Sequence, residues 1–180
     1  MTATTLTILF LVFLLAGAAV RVWLATRQIS HVETHRDQVP EAFVEKIGLQ
    51  SHQRAADYTV QRTRLRMAAG LFDVVILLWL TLGGGLAWFD TQLMALISND
   101  LARQVALIAA VVVVLSALQL PFTIYRQFKL EAKFGFNRMT PALFLADTVK
   151  GLVLAVVLGL PLLVLILWLM QTAGTYWWLW

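Results

Sequence analysis

The sequence predicts an all-α polytopic membrane protein with four transmembrane helices, a long second helix extending into the cytoplasm, and ordered cytoplasmic loops. Three observations predict it. Apolar residues make up 60% of the chain and charged residues 13%, whereas a soluble domain is about half apolar and a quarter charged. The apolar residues are clustered in four long runs, each near the ~20 residues that a helix needs to cross ~30 Å of hydrocarbon. The basic residues collect in two segments that a four-span chain must place on the same side of the membrane.

The expected spans are residues 6–25, 67–89, 105–125 and 151–170 of one membrane domain covering 1–180. The first run could be read as a cleavable leader, since Ala16-Gly17-Ala18 resembles a cleavage site. The preceding residues carry no positive charge, however, and the run continues past Arg21, so it is read as a span. The valine run at 111–114 favours strands in water, but a lone strand in lipid leaves its backbone unpaired, and helix wins.

Segment 26–66 holds Arg27, Arg36, Lys46, Arg54, Arg62, Arg64 and Arg66, and segment 126–150 holds Arg126, Lys129, Lys133, Arg138 and Lys150. Only Arg103 lies between spans two and three. Both basic segments are therefore expected in the cytoplasm and both termini outside. A net charge of +4 confined to such loops points to membrane lipids as partners and not to nucleic acid. The chain has no cysteine, which rules out disulfides and thiolate metal sites.

Within the first basic segment, Pro40 is expected to open a short helix with Ala42, Phe43 and Ile47 on one face, ending at Gly48. Ser51 is expected to cap the long second helix. The Gly83-Gly84-Gly85 triplet should fray the outer end of span two. Pro121 and Pro161 should kink spans three and four. The aromatics Trp23, Trp79 and Trp88, with Tyr176, Trp177, Trp178 and Trp180 near the chain end, suit headgroup level. Asp73 is the one acid inside a span, the candidate intramembrane polar site, and is expected to hold an ion pair or hydrogen bond.

His31 and His35 stand one helical turn apart, the histidine spacing of the HExxH zinc-protease motif. That motif needs its glutamate directly after the first histidine, so that the carboxylate reaches the metal-bound water. Here Val32 follows His31 and Glu33 comes one position late, while His52 is followed by Gln53. Both histidines are therefore read as a polar juxtamembrane pair. The chain is expected to carry no catalytic residue and no metal ligand of its own.

The stretch YRQFKLEAKFGFNRMTPALFLAD, residues 125–147, is more informative. Phe128, Phe134 and Phe136 would anchor a basic loop, Gly135 permits a tight turn between aromatics, and Thr140-Pro141 reads as N-cap and first residue of the next helix. This stretch resembles the amino-terminal membrane region of the type I CAAX prenyl endopeptidases, in a bacterial-type form, and that resemblance implies a bacterial inner membrane. The likeness rests on Lys133-Phe134-Gly135-Phe136-Asn137 followed by Thr140-Pro141, as a structural loop. Residues 52–66, HQRAADYTVQRTRLR, resemble the first cytoplasmic segment of the same family.

The resemblance implies an all-α chamber wall of a membrane zinc metalloendopeptidase. The family's HExxH helix and its glutamate zinc ligand lie downstream of the matched region, so zinc and a peptide substrate are expected for the complete protein. The partner of this chain would be a carboxy-terminal catalytic portion, and the chain by itself is expected to be inactive. Two alternatives stay open, a stand-alone non-enzymatic membrane scaffold and a small transporter or channel subunit. The latter would need a polar path built from little more than Asp73, Ser116, Gln119 and Thr123.

Overall fold

The computed structural model describes residues 2–173 of the chain. These residues are helical almost throughout, in α1 (Ala3–Thr34), α2 (Leu49–Thr81), α3 (Gly85–Met94), α4 (Asp100–Phe134) and α5 (Pro141–Ala173). α1, α4 and α5 are each long and apolar enough to cross a membrane, and α2 with α3 makes a fourth, broken pair. The most apolar windows of α1, α4 and α5 are 0% buried by protein. Hydrocarbon is the solvent that accepts such surfaces, and helix is the backbone that satisfies itself there. The protein is an all-helical integral membrane protein, as expected.

The helices divide into two compact units. The first comprises Met1–Trp79 and Pro121–Asn137, the second Leu80–Leu120 and Arg138–Trp180.

In the first unit α1 runs antiparallel to α2. The 33 residues of α2 give a rod of about 50 Å at ~1.5 Å per residue, well beyond the ~30 Å of a hydrocarbon layer. Ala56, Val60 and Thr63 are buried at 8%, 8% and 5% exposure, spaced i, i+4, i+7 along one face. Phe72 meets Phe122 of α4 with ring centroids 5.3 Å apart. At the far end of α4, Leu130 and Phe134 are buried, at 3% and 7% exposure.

In the second unit, Asn99 Oδ1 accepts the Ala102 N–H at 2.9 Å and caps α4. Arg103 pairs with Asp90 and Asp100 at 3.5 and 3.1 Å. Thr140 caps α5, its hydroxyl accepting the Leu143 N–H at 3.2 Å, with Pro141 in the first turn.

Several local expectations need correction. The glycine triplet does not fray the helix but breaks it. Gly84 takes φ +79°, a left-handed conformation open to glycine, and its carbonyl accepts the Trp88 N–H at 2.8 Å to start α3. Ser51 is not the cap of α2, because the helix already begins at Leu49 and the His52 N–H bonds to the Gly48 carbonyl at 3.1 Å. The short helix after Pro40 is a single 3-10 turn at Glu41–Phe43, with Phe43 and Ile47 50% and 39% exposed. Apart from these corrections, Pro121 lies within α4 with helix on both sides of it. Ahead of Pro161 the helix widens to a π segment at Ala155–Gly159, which makes room for the ring against the carbonyl four residues back. Tyr176, Trp177, Trp178 and Trp180 lie outside the described residues.

Candidate functional site

The polar part of α2 presents Arg54, Tyr58 and Gln61 at i, i+4, i+7, one stripe on one side of the helix. All three side chains bond to the end of α4 and the turn that follows it. Arg54 Nη2 donates to the Phe134 carbonyl at 2.9 Å, the Tyr58 hydroxyl donates to Glu131 Oε1 at 2.8 Å, and Lys133 Nζ donates to Gln61 Oε1 at 3.2 Å. The Tyr58 ring receives Phe134 and Phe136 edge-on, with centroids at 5.3 and 5.0 Å, a favoured aromatic geometry. Arg62 lies over the same ring at 5.8 Å.

The turn has this shape because Gly135 takes φ +78° and ends the helix. The Gly135 N–H reaches the Ala132 carbonyl at 3.1 Å, and the N–H groups of Phe136 and Asn137 share the Glu131 carbonyl at 2.9 and 3.2 Å. Asn137 Oδ1 accepts from Gln127 Nε2 at 2.8 Å. Before the turn the helix widens to a π segment at Arg126–Glu131. Thr140 and Pro141 begin α5 beyond the turn.

A Cβ at Gly135 would meet only Arg54 Nη2, at an ordinary 3.5 Å, so any strain from substitution is backbone strain. Gly135→Ala is expected to cost about 1–2 kcal/mol, and Gly135→Asn less, because asparagine visits this region more readily. Thermal unfolding in detergent measures both.

A second set of bonds ties α2 to α1. Arg36 grips Asp57 with both arms of its guanidinium, Nε to Oδ1 at 2.8 Å and Nη2 to Oδ2 at 3.0 Å. Arg64 Nη2 meets Glu33 Oε1 at 2.8 Å. The hydrogen bonds from Arg36, helped by its charge, hold the Asp57 carboxyl below its ordinary value, and Asp57 pushes Arg36 further above its own. A lowered carboxyl stabilises the fold above its unfolded pKa and loses that contribution as pH falls through the folded value. The clasp is therefore expected to hold unchanged from pH 7 to pH 5 and to open only below about pH 4. Hydrogen-exchange protection of residues 31–36 and 52–60 reports it, and in Asp57→Asn that protection should be low at every pH.

The histidines sit next to this clasp. His31 and His35 share a face as their spacing predicts, with ring centroids 4.3 Å apart. His35 Nδ1 bonds to its own helix at the His31 carbonyl, 2.8 Å, and His52 Nε2 bonds to the His35 carbonyl at 3.1 Å. All three line a cavity of about 600 Å³ with Val39, Pro40 and Glu41. Glu33 points to another face and is taken by Arg64. Among the described residues, no group of three or more histidine, aspartate or glutamate side chains could hold a metal ion, so these residues do not fit the zinc that the family resemblance implies.

The structure thus gathers Lys133, Phe134, Gly135, Phe136 and Asn137 into one cluster on α2. Asp73 lies on the same helix, within its apolar part and seven residues past Arg66. Tyr58, Glu131 and Arg54 were missed as functional positions. Their one local signal is the 54/58/61 spacing along the polar part of α2.

Comparison with known proteins places this geometry. A family model described as CAAX prenyl protease N-terminal, five membrane helices, matches residues 28–180. The chain is 37% identical over 78 residues to a CAAX prenyl protease 1 homolog of Oryza sativa subsp. japonica, covering 43% of this chain and 18% of the relative. It is 24% identical over 145 residues to the Arabidopsis thaliana homolog, covering 77% and 34%, and 23% identical over 173 residues to that of Caenorhabditis elegans, covering 93% and 38%. The crystal structure of S. mikatae Ste24p superposes with a TM-score of 0.82 at 21% identity, over 92% of this chain and 40% of that one. The last is a likeness of fold. The chain spans well under half the length of each of these proteins. The relatives are eukaryotic, so the expected bacterial-type form and bacterial inner membrane find no support among them.

Proposed function

We propose a function from one premise: this chain belongs to the family of CAAX prenyl protease N-terminal membrane domains. It is the amino-terminal membrane part of such a protein, embedded in lipid. In our reading it acts as scaffold and chamber wall of a zinc metalloendopeptidase that cleaves prenylated peptides. Zinc, its ligands and the catalytic glutamate are supplied by a portion downstream of the matched region. The observation that carries the proposal is the turn 133–137 fixed onto the 54/58/61 stripe of α2. Such a clamp gives the loop one fixed shape, which a wall needs and a loose tether does not. The turn, Thr140 and Pro141 serve structure, and Asp73 is held as a structural polar group within the membrane.

We further propose that the two basic segments face the cytosol, because twelve of the fourteen Lys and Arg residues fall in them. Reporter fusions after Asp90 should then appear outside the cytosol and fusions after Lys133 inside it; the reverse pattern would refute this orientation. The reading frame following Trp180 decides between the protease part and a stand-alone scaffold. Further apolar spans with an HExxH helix support the first, and a native stop codon supports the second.

A further inference from the structure

A cavity of about 250 Å³ lies between α1 and α2, several times the ~30 Å³ share of one water molecule. Ala18, Val22, Gly70 and Leu71 give it apolar walls, and Arg21 and Arg66 stand beside them. A Cβ at Gly70 would meet nothing within 4 Å, so this glycine does not serve close packing of the two helices. It leaves a space open.

Two guanidiniums border this space. Arg36, Arg64 and Arg103 each have a carboxylate partner. Among the described residues, Arg21 and Arg66 have none, like Arg27, Arg54, Arg62, Arg126 and Arg138, but Arg21 and Arg66 are the two that border this cavity. Arg21 bonds only to its own helix, Nε to the Gly17 carbonyl at 3.2 Å. Arg66 directly precedes the apolar stretch of α2, and Arg21 lies near the end of that of α1. Close to Arg21 on α1, Arg27 stacks over the Trp23 ring at 5.0 Å, an arrangement suited to headgroup depth. Two uncompensated cations at that depth, beside an apolar pocket, match a phosphodiester above an acyl chain. A free phosphate would satisfy the arginines but leave the apolar walls empty.

We propose that this cavity is a binding site for one anionic phospholipid, its phosphate held by Arg21 and Arg66 and its chain lying along Val22, Gly70 and Leu71. The site is independent of any proteolytic role. Its test is native mass spectrometry of the full chain released from detergent, with dioleoyl phosphatidylserine, dioleoyl phosphatidylcholine or inorganic phosphate added. Retention of the serine lipid should exceed that of the choline lipid by at least about tenfold, a difference of ~1.4 kcal/mol. The double variant Arg21→Gln/Arg66→Gln should lose that preference, Arg27→Gln should keep it, and Gly70→Leu should lower retention of both lipids by filling the pocket. Equal retention of the two lipids by the unmodified chain would overturn the proposal. So would a preference that survives the double substitution, or displacement of the lipid by millimolar phosphate. If the double variant fails to fold, the headgroup comparison on the unmodified chain and the Gly70→Leu result decide.

Discussion

Replacing Phe134 with alanine is expected to destabilise the protein by about 3–5 kcal/mol, the range for truncating a buried phenylalanine. The side chain is only 7% exposed, its ring meets Tyr58 edge-on, and its carbonyl is the acceptor for Arg54. Truncation empties the space under the turn and leaves Tyr58 without one of its two aromatic neighbours. Phe134→Leu keeps most of the volume and should cost less than about 1.5 kcal/mol. Thermal unfolding in detergent measures the loss, and protease sensitivity at residues 132–140 locates it. A loss below about 1 kcal/mol would mean that the turn is not held through this ring.

The second large effect falls on Tyr58. Tyr58→Ala removes both ring contacts and the bond to Glu131, and should cost about 2–4 kcal/mol, somewhat less than full burial would give. Tyr58→Phe keeps the rings and loses only the hydroxyl, at about 0.5–1.5 kcal/mol. A double-mutant cycle of Tyr58→Phe with Glu131→Gln should show coupling of at least about 0.5 kcal/mol; additivity would mean that the 2.8 Å contact carries no energy. Burial, then the bond and charge of Glu131, push the Tyr58 hydroxyl above its ordinary value. A raised group contributes its full stability below the unfolded pKa and loses it as pH rises through the folded value. As pH rises from neutrality, this bond should therefore persist until about 10 is passed.

The helices were legible because lipid leaves an apolar run of twenty residues no other backbone choice. The caps at Thr140 and Pro141 and the turn at Gly135 were legible because each depends on residues within a few positions. The clamp was not. Tyr58 and Glu131 are 73 residues apart in sequence, and Arg54 and Phe134 are 80 apart. No local periodicity says which distant backbone a polar stripe will meet. The Arg36–Asp57 clasp was hidden in the same way, since five other arginines in that segment offered equal charge. The break at Gly84 turned on whether one glycine of three took the left-handed conformation, a choice that composition does not make.

In the proposed function this chain shapes and supports a proteolytic chamber, and the cutting chemistry belongs to another portion. The most direct measurement is zinc content together with cleavage of a prenylated CAAX peptide, made on the purified and folded 180-residue chain. No stoichiometric zinc and no cleavage above background are expected. One zinc per chain with cleavage that is lost in His31→Ala and His35→Ala would contradict the proposed function.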